Sequence, residues 1–232
     1  MTEGSYKQFC PVAMAAEILC TRWTVVLLRE LIAGSTRFNE LRRGVPRMSP
    51  ALLTKRLRDL EDAGVLERVR RPGDGEGHEY RLTAAGRDLK PVIEAMGIWG
   101  QRWVESEASL QKLDPQLLMW DMRRNIDPTP MPQRRSTIEV SFSDQPAARR
   151  DWWLVVEPGA AVDLCSVDPG FEVDLYVATD LRTMTEIWMG YKTAAAAKDS
   201  GQMVLTGSRA LEDALQKWLR LSPFAKVERM VA

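Results

Sequence analysis

The sequence predicts an α+β fold in two parts, and three observations carry that expectation. Between Thr36 and Arg71 a short helix, a turn, a longer helix and a basic strand follow one another. A proline-rich break, Pro128-Thr129-Pro130-Met131-Pro132, separates this region from what comes after. From Thr137 the apolar residues alternate in twos before helical spacing resumes, which predicts a small antiparallel sheet with helices.

Taken in order, Pro11 to Leu19 predicts a helix with Val12, Ala15, Ala16 and Leu19 on one face. Arg22-Trp23 opens a second helix through Leu31. There Val25, Val26, Leu28 and Leu31 alternate with the charged pair Arg29 and Glu30, and Trp23 is expected in the core. Thr36 is placed to cap a third helix, Phe38 to Arg43, which Gly44-Val45-Pro46 ends. Ser49-Pro50 restarts a helix, because a hydroxyl satisfies free amides and proline at the first position costs none. Leu53, Leu57 and Leu60 define its buried side, and Gly64 stops it.

The opposite side of that fourth helix carries Ala51, Thr54, Lys55 and Arg58. Short side chains near its start let a backbone approach the major groove of B-DNA, and Lys or Arg further along can pair with guanine edges. A basic strand, Leu66 to Arg71, follows the glycine. A turn, Pro72 to Gly77, and a return strand, His78 to Leu82, complete a hairpin. Helix, turn, helix and basic hairpin make a winged helix-turn-helix. Arg37, Asn39, Ser49, Arg70 and Arg71 complete the candidate DNA-binding set.

These residues resemble the HxlR group of winged-helix transcriptional regulators, relatives of the MarR group. The resemblance runs from about Phe9 to Val104. It is carried by Cys10-Pro11, Arg22-Trp23-Thr24, Arg37-Phe38-Asn39-Glu40-Leu41, Ser49-Pro50 and Leu57-Arg58-Asp59-Leu60-Glu61. It implies a homodimer that binds a pseudo-palindromic double-stranded DNA site through two recognition helices and two wings. In the group a cysteine at the position of Cys10 serves some members as a redox sensor, and a helix N-terminus favours the reactive thiolate.

The formal net charge of zero hides a gradient. Residues 36 to 71 hold ten Lys/Arg against five acids, whereas residues 113 to 232 hold fourteen against seventeen. Distribution matters more than the total for steering DNA. No apolar run approaches the roughly 18 residues of a transmembrane helix, so no membrane insertion is expected. Three cysteines without paired spacing fit a reducing cytoplasm, and with a single histidine, His78, they leave little material for a metal site. No cofactor and no catalytic residue is assigned. Asp163, Asp168, Glu172 and Asp174 alternate as solvated faces would, so the chain is not expected to be an enzyme.

Thr83 is placed to cap a long helix to about Val104, kinked at Pro91. Its apolar residues Leu89, Val92, Met96, Trp99 and Trp103 are the candidate dimerisation surface, since a stripe this heavy needs a partner. Residues 1–108 are therefore expected as the DNA-binding and dimerisation domain, 109–136 as a linker, and 137–232 as a second domain.

In that second part Ile138, Val140 and Phe142 alternate with polar residues. Asp151 to Val156, Ala161 to Cys165, Phe171 to Val177 and Gly201 to Thr206 predict further strands. Helices are expected from Leu181 to Tyr191, from Ala194 to Lys198, and after Ser208. The run Phe171 to Leu215 resembles the sterol-carrier-protein-like fold: an alternating strand, an acid opening a helix, then Gly190, Gly201, Gly207 and Ser208 at the family's places. The resemblance implies an apolar tunnel for lipid-like molecules. Trp153, Met184, Trp188, Met203 and Trp218 are the candidate ligand-binding residues, because methionine and tryptophan suit adaptable apolar cavities. The expected function is a DNA-binding regulator controlled by an apolar small-molecule effector. The alternatives are a lipid carrier that uses the winged helix only to dimerise, and a redox-sensing regulator acting through Cys10.

Overall fold

The computed structural model describes residues 5–70, 77–105, 107 and 110–231. The expected wing turn, apart from Gly77, and Arg71 lie outside these residues. The chain forms two compact units, Met1–Gly97 and Ile98–Ala232.

The first unit contains α1 (Pro11–Leu19), α2 (Thr24–Ile32), α3 (Phe38–Gly44) and α4 (Pro50–Asp62). The hairpin strands β1 (Leu66–Arg70) and β2 (His78–Leu82), α5 (Ala84–Asp88) and the start of α6 (Lys90–Trp103) follow. Its core is leucine-built: Leu27 and Leu28 of α2, Leu41 of α3, and Leu53, Leu57 and Leu60 of α4 are almost fully buried. The hairpin is antiparallel, with Leu66 opposite Leu82 and Arg70 opposite His78.

Several local expectations change here. Trp23 does pack against the core, but it is only half-buried, at a positive φ of 78° immediately before α2. Val26 faces solvent, and Glu30, one of the charged pair that alternates with the apolar residues, is fully buried. No residue of α1 is buried, and Val12, Met14 and Ile18 are exposed. The cap of α3 is supplied by Glu40, whose Oε2 accepts the amides of Thr36 and Arg37, both at 3.0 Å, so the Thr36 hydroxyl is not the cap. The expected single helix after Thr83 is two. Thr83 Oγ1 does cap α5 by accepting the Gly86 amide, but the helix breaks at Leu89, two residues before Pro91. Proline has no amide to donate to the carbonyl four residues back, so the α5 ladder stops there.

The second unit begins with the last turns of α6. It then holds α7 (Pro115–Asn125), β3 (Ser136–Phe142), α8 (Ala147–Arg150), β4 (Asp151–Val156), β5 (Asp163–Cys165) and β6 (Leu175–Thr179). It ends with α9 (Leu181–Trp188), α10 (Ala194–Asp199), β7 (Met203–Gly207), α11 (Arg209–Asp213) and α12 (Leu215–Trp218). The sheet order is β5-β4-β3-β6-β7. The sheet is mixed and not purely antiparallel, because β3 and β6 run parallel, Ile138 opposite Leu175 through Phe142 opposite Thr179. After β5 the chain crosses back to the far side of β3, and residues 166–174 make that crossover. Phe171 and Val173 sit in it outside any strand, although their alternation imitated one.

Alternation sends Ile138, Val140 and Phe142 of β3 inward with Leu154 and Leu175, against Met184 and Ile187 of α9. The stretch expected as a linker contains α7. Asp114 caps it by accepting the Leu117 amide at 3.2 Å, and Leu118, Met119 and Met122 lie in the second unit's core. Ile126 forms an antiparallel bridge with Leu219, and the Asp127 amide donates to Trp218 O at 2.9 Å, which laces the end of α7 to the end of α12. No single helix among the described residues is long and apolar enough to cross a membrane; α1 and α2 pass only together, bent by 85°.

Candidate nucleic-acid interface

The geometry of α4 divides its residues as the leucine spacing requires. Ser49 Oγ accepts the Leu52 amide at 3.3 Å and Pro50 opens the first turn, so the helix start is fixed by side chains and not by packing. With Leu53, Leu57 and Leu60 inward, Ala51, Lys55 and Arg58 are exposed and Thr54 is half-exposed. The Thr54 hydroxyl donates to Pro50 O at 3.0 Å and keeps its lone pairs for an incoming donor. Lys55 and Arg58 have no hydrogen bond or ion pair among the described residues, in contrast to their neighbour Arg56. Arg56 Nε donates to Arg22 O at 3.2 Å, and its Nη1 pairs with Asp59 Oδ2 at 2.6 Å. One arginine of the helix is therefore structural and the next is available.

Arg37 and Asn39 at the start of α3 and Arg70 at the end of β1 are all exposed. The Tyr80 amide donates to Thr36 O at 2.8 Å, so β2 is fastened to the entry of α3. Between them lies an open cleft of about 370 Å³, lined by Arg37, Phe38, Asn39, Glu40, Arg43, Gly77 and His78. Arg43 and His78 were not singled out from the sequence; neither shows any signal until the hairpin is folded back on α3. Arg68, exposed on β1, places Nη2 3.2 Å from His78 Nδ1. Arg42 and Arg47 are exposed nearby in sequence. The assembled surface offers guanidinium and amide donors and short side chains, the groups that hold phosphates and read base edges.

Of the candidate dimerisation residues, Val92, Met96, Trp99 and Trp103 are exposed, Trp99 by 62%. Leu89 is the exception: it packs against the first unit's core, beside buried Ile93.

The candidate ligand-binding residues divide between the second unit's core and the other face of its sheet. Met184, Trp188, Met203 and Trp218 are packed into the second unit's core. Trp153 lies on the opposite face of the sheet from its buried neighbour Trp152. An open cleft of about 230 Å³ does occur on the helical side, lined by Ile187, Gly190, Lys192, Thr193, Ala194, Leu215, Gln216, Leu219 and Leu221. None of the five expected residues lines it, though Ile187 and Leu219 are the chain neighbours of Trp188 and Trp218.

Cys10 is exposed at the start of α1, and the backbone amides of Ala13 and then Val12 lower its thiol pKa. Among the described residues no group of three or more His, Cys, Asp or Glu is placed to hold a metal ion.

The profile of the HxlR-like helix-turn-helix family matches residues 18–108. An uncharacterized HTH-type transcriptional regulator of Synechocystis sp., sll1512, is 38% identical over 99 residues, 43% of this chain and 73% of that protein. The chain belongs to the HxlR-like helix-turn-helix family. Another relative, the uncharacterized HTH-type transcriptional regulator Rv3095 of Mycobacterium tuberculosis, is 43% identical over 95 residues, 40% of this chain and 58% of that protein. Among solved structures, the redox regulator HypR in its reduced form shares 35% identity over 40% of this chain and 91% of that one, at a TM-score of 0.38. All three alignments cover well under half of this chain, and the HxlR match ends at residue 108.

Proposed function

We propose that this HxlR-family transcriptional regulator binds a two-fold DNA site as a homodimer and that an apolar small molecule held by the second unit controls the binding. The outer side of α4 carries the reading. Its exposed Ala51, Lys55 and Arg58 have no task within the fold, and they suit the floor of a major groove. In this reading Arg37, Asn39, Ser49 and Thr54 contact the duplex beside α4, and Arg70 and Arg71 take the flanking phosphates. Two such helices reach one duplex only if two copies associate, and the exposed Val92, Met96, Trp99 and Trp103 of α6 offer an apolar seam for that.

The sterol-carrier resemblance supports an effector. Asp180 caps α9 by accepting the Thr183 amide at 2.7 Å, Gly190 and Gly207 stand at positive φ, and Ser208 caps α11, which is compatible with that resemblance. Within this reading the effector enters through the cleft beside Ile187, Leu215 and Leu219. It acts only if it binds the DNA-competent and incompetent states unequally. The protein works in the cytoplasm.

Selection from a random duplex pool, using the full chain, tests the proposal. An enriched pseudo-palindrome, together with an apolar molecule seen by native mass spectrometry, supports it. Failure to retain bulk DNA or heparin at low salt leaves a lipid carrier whose winged helix only dimerises.

Cys10 favours a second input to the same output. It is exposed and its thiolate is stabilised by backbone amides at the start of α1. Loss of DNA binding under diamide that Cys10→Ser abolishes is the result expected of redox control.

A further inference from the structure

We propose that the sheet face turned away from the second unit's helices, centred on Glu139, binds a small organic cation of the quaternary-ammonium class. β3 is the central strand, and the register sets Glu139 directly between Trp153 of β4 and Tyr176 of β6. The alternation that buries Ile138, Val140, Leu154 and Leu175 turns these three side chains to the other face. Tyr176 is exposed there by 46%, while Trp153 and Glu139 are half-buried. A carboxylate at the middle of a sheet is thus bracketed by two aromatic side chains, at the spacing that lets cross-strand neighbours act together.

Charge on this face has one sign. The five strands contain no lysine or arginine; their charged residues are Glu139, Asp151 and Asp163. Burial, then the charges of Asp151 and of Asp168 on the crossover, push the Glu139 carboxyl up, against a hydrogen bond from the Trp153 side chain. Arginines near the ends of the sheet are committed elsewhere. Arg134 pairs with Asp174 at 2.7 Å, and Arg135 pairs with Glu157 at 2.7 Å and stacks on the Phe171 ring. Among the described residues, the strands therefore supply this face with acids and with no cation of their own.

The surroundings select the kind of cation. One carboxylate between two rings supplies too few oxygens for a calcium or magnesium ion, which takes six or more hard ligands. A quaternary ammonium is weakly hydrated, presents methyl groups to ring faces, and pairs its charge with a single carboxylate. The site does not rest on the regulatory reading and stands or falls separately from it.

Choline added to the isotope-labelled full chain is the probe, with the indole N–H resonance of Trp153 as the readout. Its neutral isostere 3,3-dimethyl-1-butanol and matched sodium chloride serve as references. A saturable choline shift is expected, weakened at least about tenfold by Glu139→Gln and absent with the isostere. The same shift from sodium chloride or from the isostere overturns the proposal, as does wild-type affinity in Glu139→Gln. If that variant fails to fold, Tyr176→Leu at the exposed neighbour decides: a several-fold loss supports the site, and unchanged affinity refutes it.

Discussion

The Glu30 carboxylate occupies the place where a side chain on Gly44 would begin: a Cβ built on the glycine overlaps it. The acid is fully buried, paired with Arg29, and accepts the Ser35 hydroxyl at 3.2 Å, while Arg29 Nη2 also reaches Gly44 O at 3.5 Å. This fastens the end of α2 to the end of α3, directly ahead of the turn into α4. Gly44→Ala is expected to lower the unfolding free energy by about 1–3 kcal/mol, the usual cost of overpacking. In a Glu30→Ala background the same change should cost much less. Urea denaturation of the four proteins gives the coupling directly; strict additivity would show that the two residues do not compete for space.

Arg58→Ala should weaken binding to a selected DNA site by about 1–3 kcal/mol and relax its sequence preference, with the melting temperature unchanged. Arg56→Ala should show the reverse order of effects, because Arg56 is bonded to Arg22 O and Asp59. Electrophoretic shifts beside thermal melts separate the two; equal losses of affinity would remove the distinction.

Arg70→Ala should reduce affinity for all duplexes alike and flatten the dependence of log K on log salt by roughly one unit. A titration series in potassium chloride reads the slope directly. An unchanged slope would take the hairpin off the phosphates.

Trp99→Glu places a charge on the exposed side of α6 and should raise the dimer dissociation constant by at least about tenfold. Leu89→Glu, on the inward side, should instead destabilise the first unit itself. Sedimentation equilibrium and melting curves distinguish association from folding.

The Asp127 carboxyl is held down to about 2 from its ordinary 3.8, first by hydrogen bonds from the Thr129 side chain and amide and then by Arg220. A depressed folded-state value means that the carboxylate's contribution is complete above pH 3.8 and is lost as pH falls toward 2. Thermal midpoints of wild type and Asp127→Asn should therefore differ at neutral pH and converge across that window. A constant gap down to about pH 2 would discard the assignment.

The α4 surface was legible in the sequence because one short-range pattern decides it: leucines at spacings of four and three, a hydroxyl cap, a proline and a stopping glycine. Glu30 was not legible. Its partners, Ser35 and Gly44, become meaningful only when two helices are packed, and a charged residue read alone belongs outside. The stretch holding α7 read as a linker because of its proline-rich exit; the bridge from Ile126 to Leu219 joins residues too far apart for spacing to reveal. Phe171 and Val173 failed in the opposite way, since alternation also suits an extended crossover. Residue type alone points to Trp153, Met184, Trp188, Met203 and Trp218, and type does not distinguish a wall of a cavity from a well-filled core.

The lacing of Ile126 and Asp127 to Leu219 and Trp218 has a consequence for biosynthesis. Residues of the first unit are all available once the ribosome has passed Gly97, so that part can condense while translation continues. The second cannot complete its packing until Leu219 has emerged, some ninety residues after its bridge partner Ile126. Nascent chains stalled in that interval are the species a chaperone would meet.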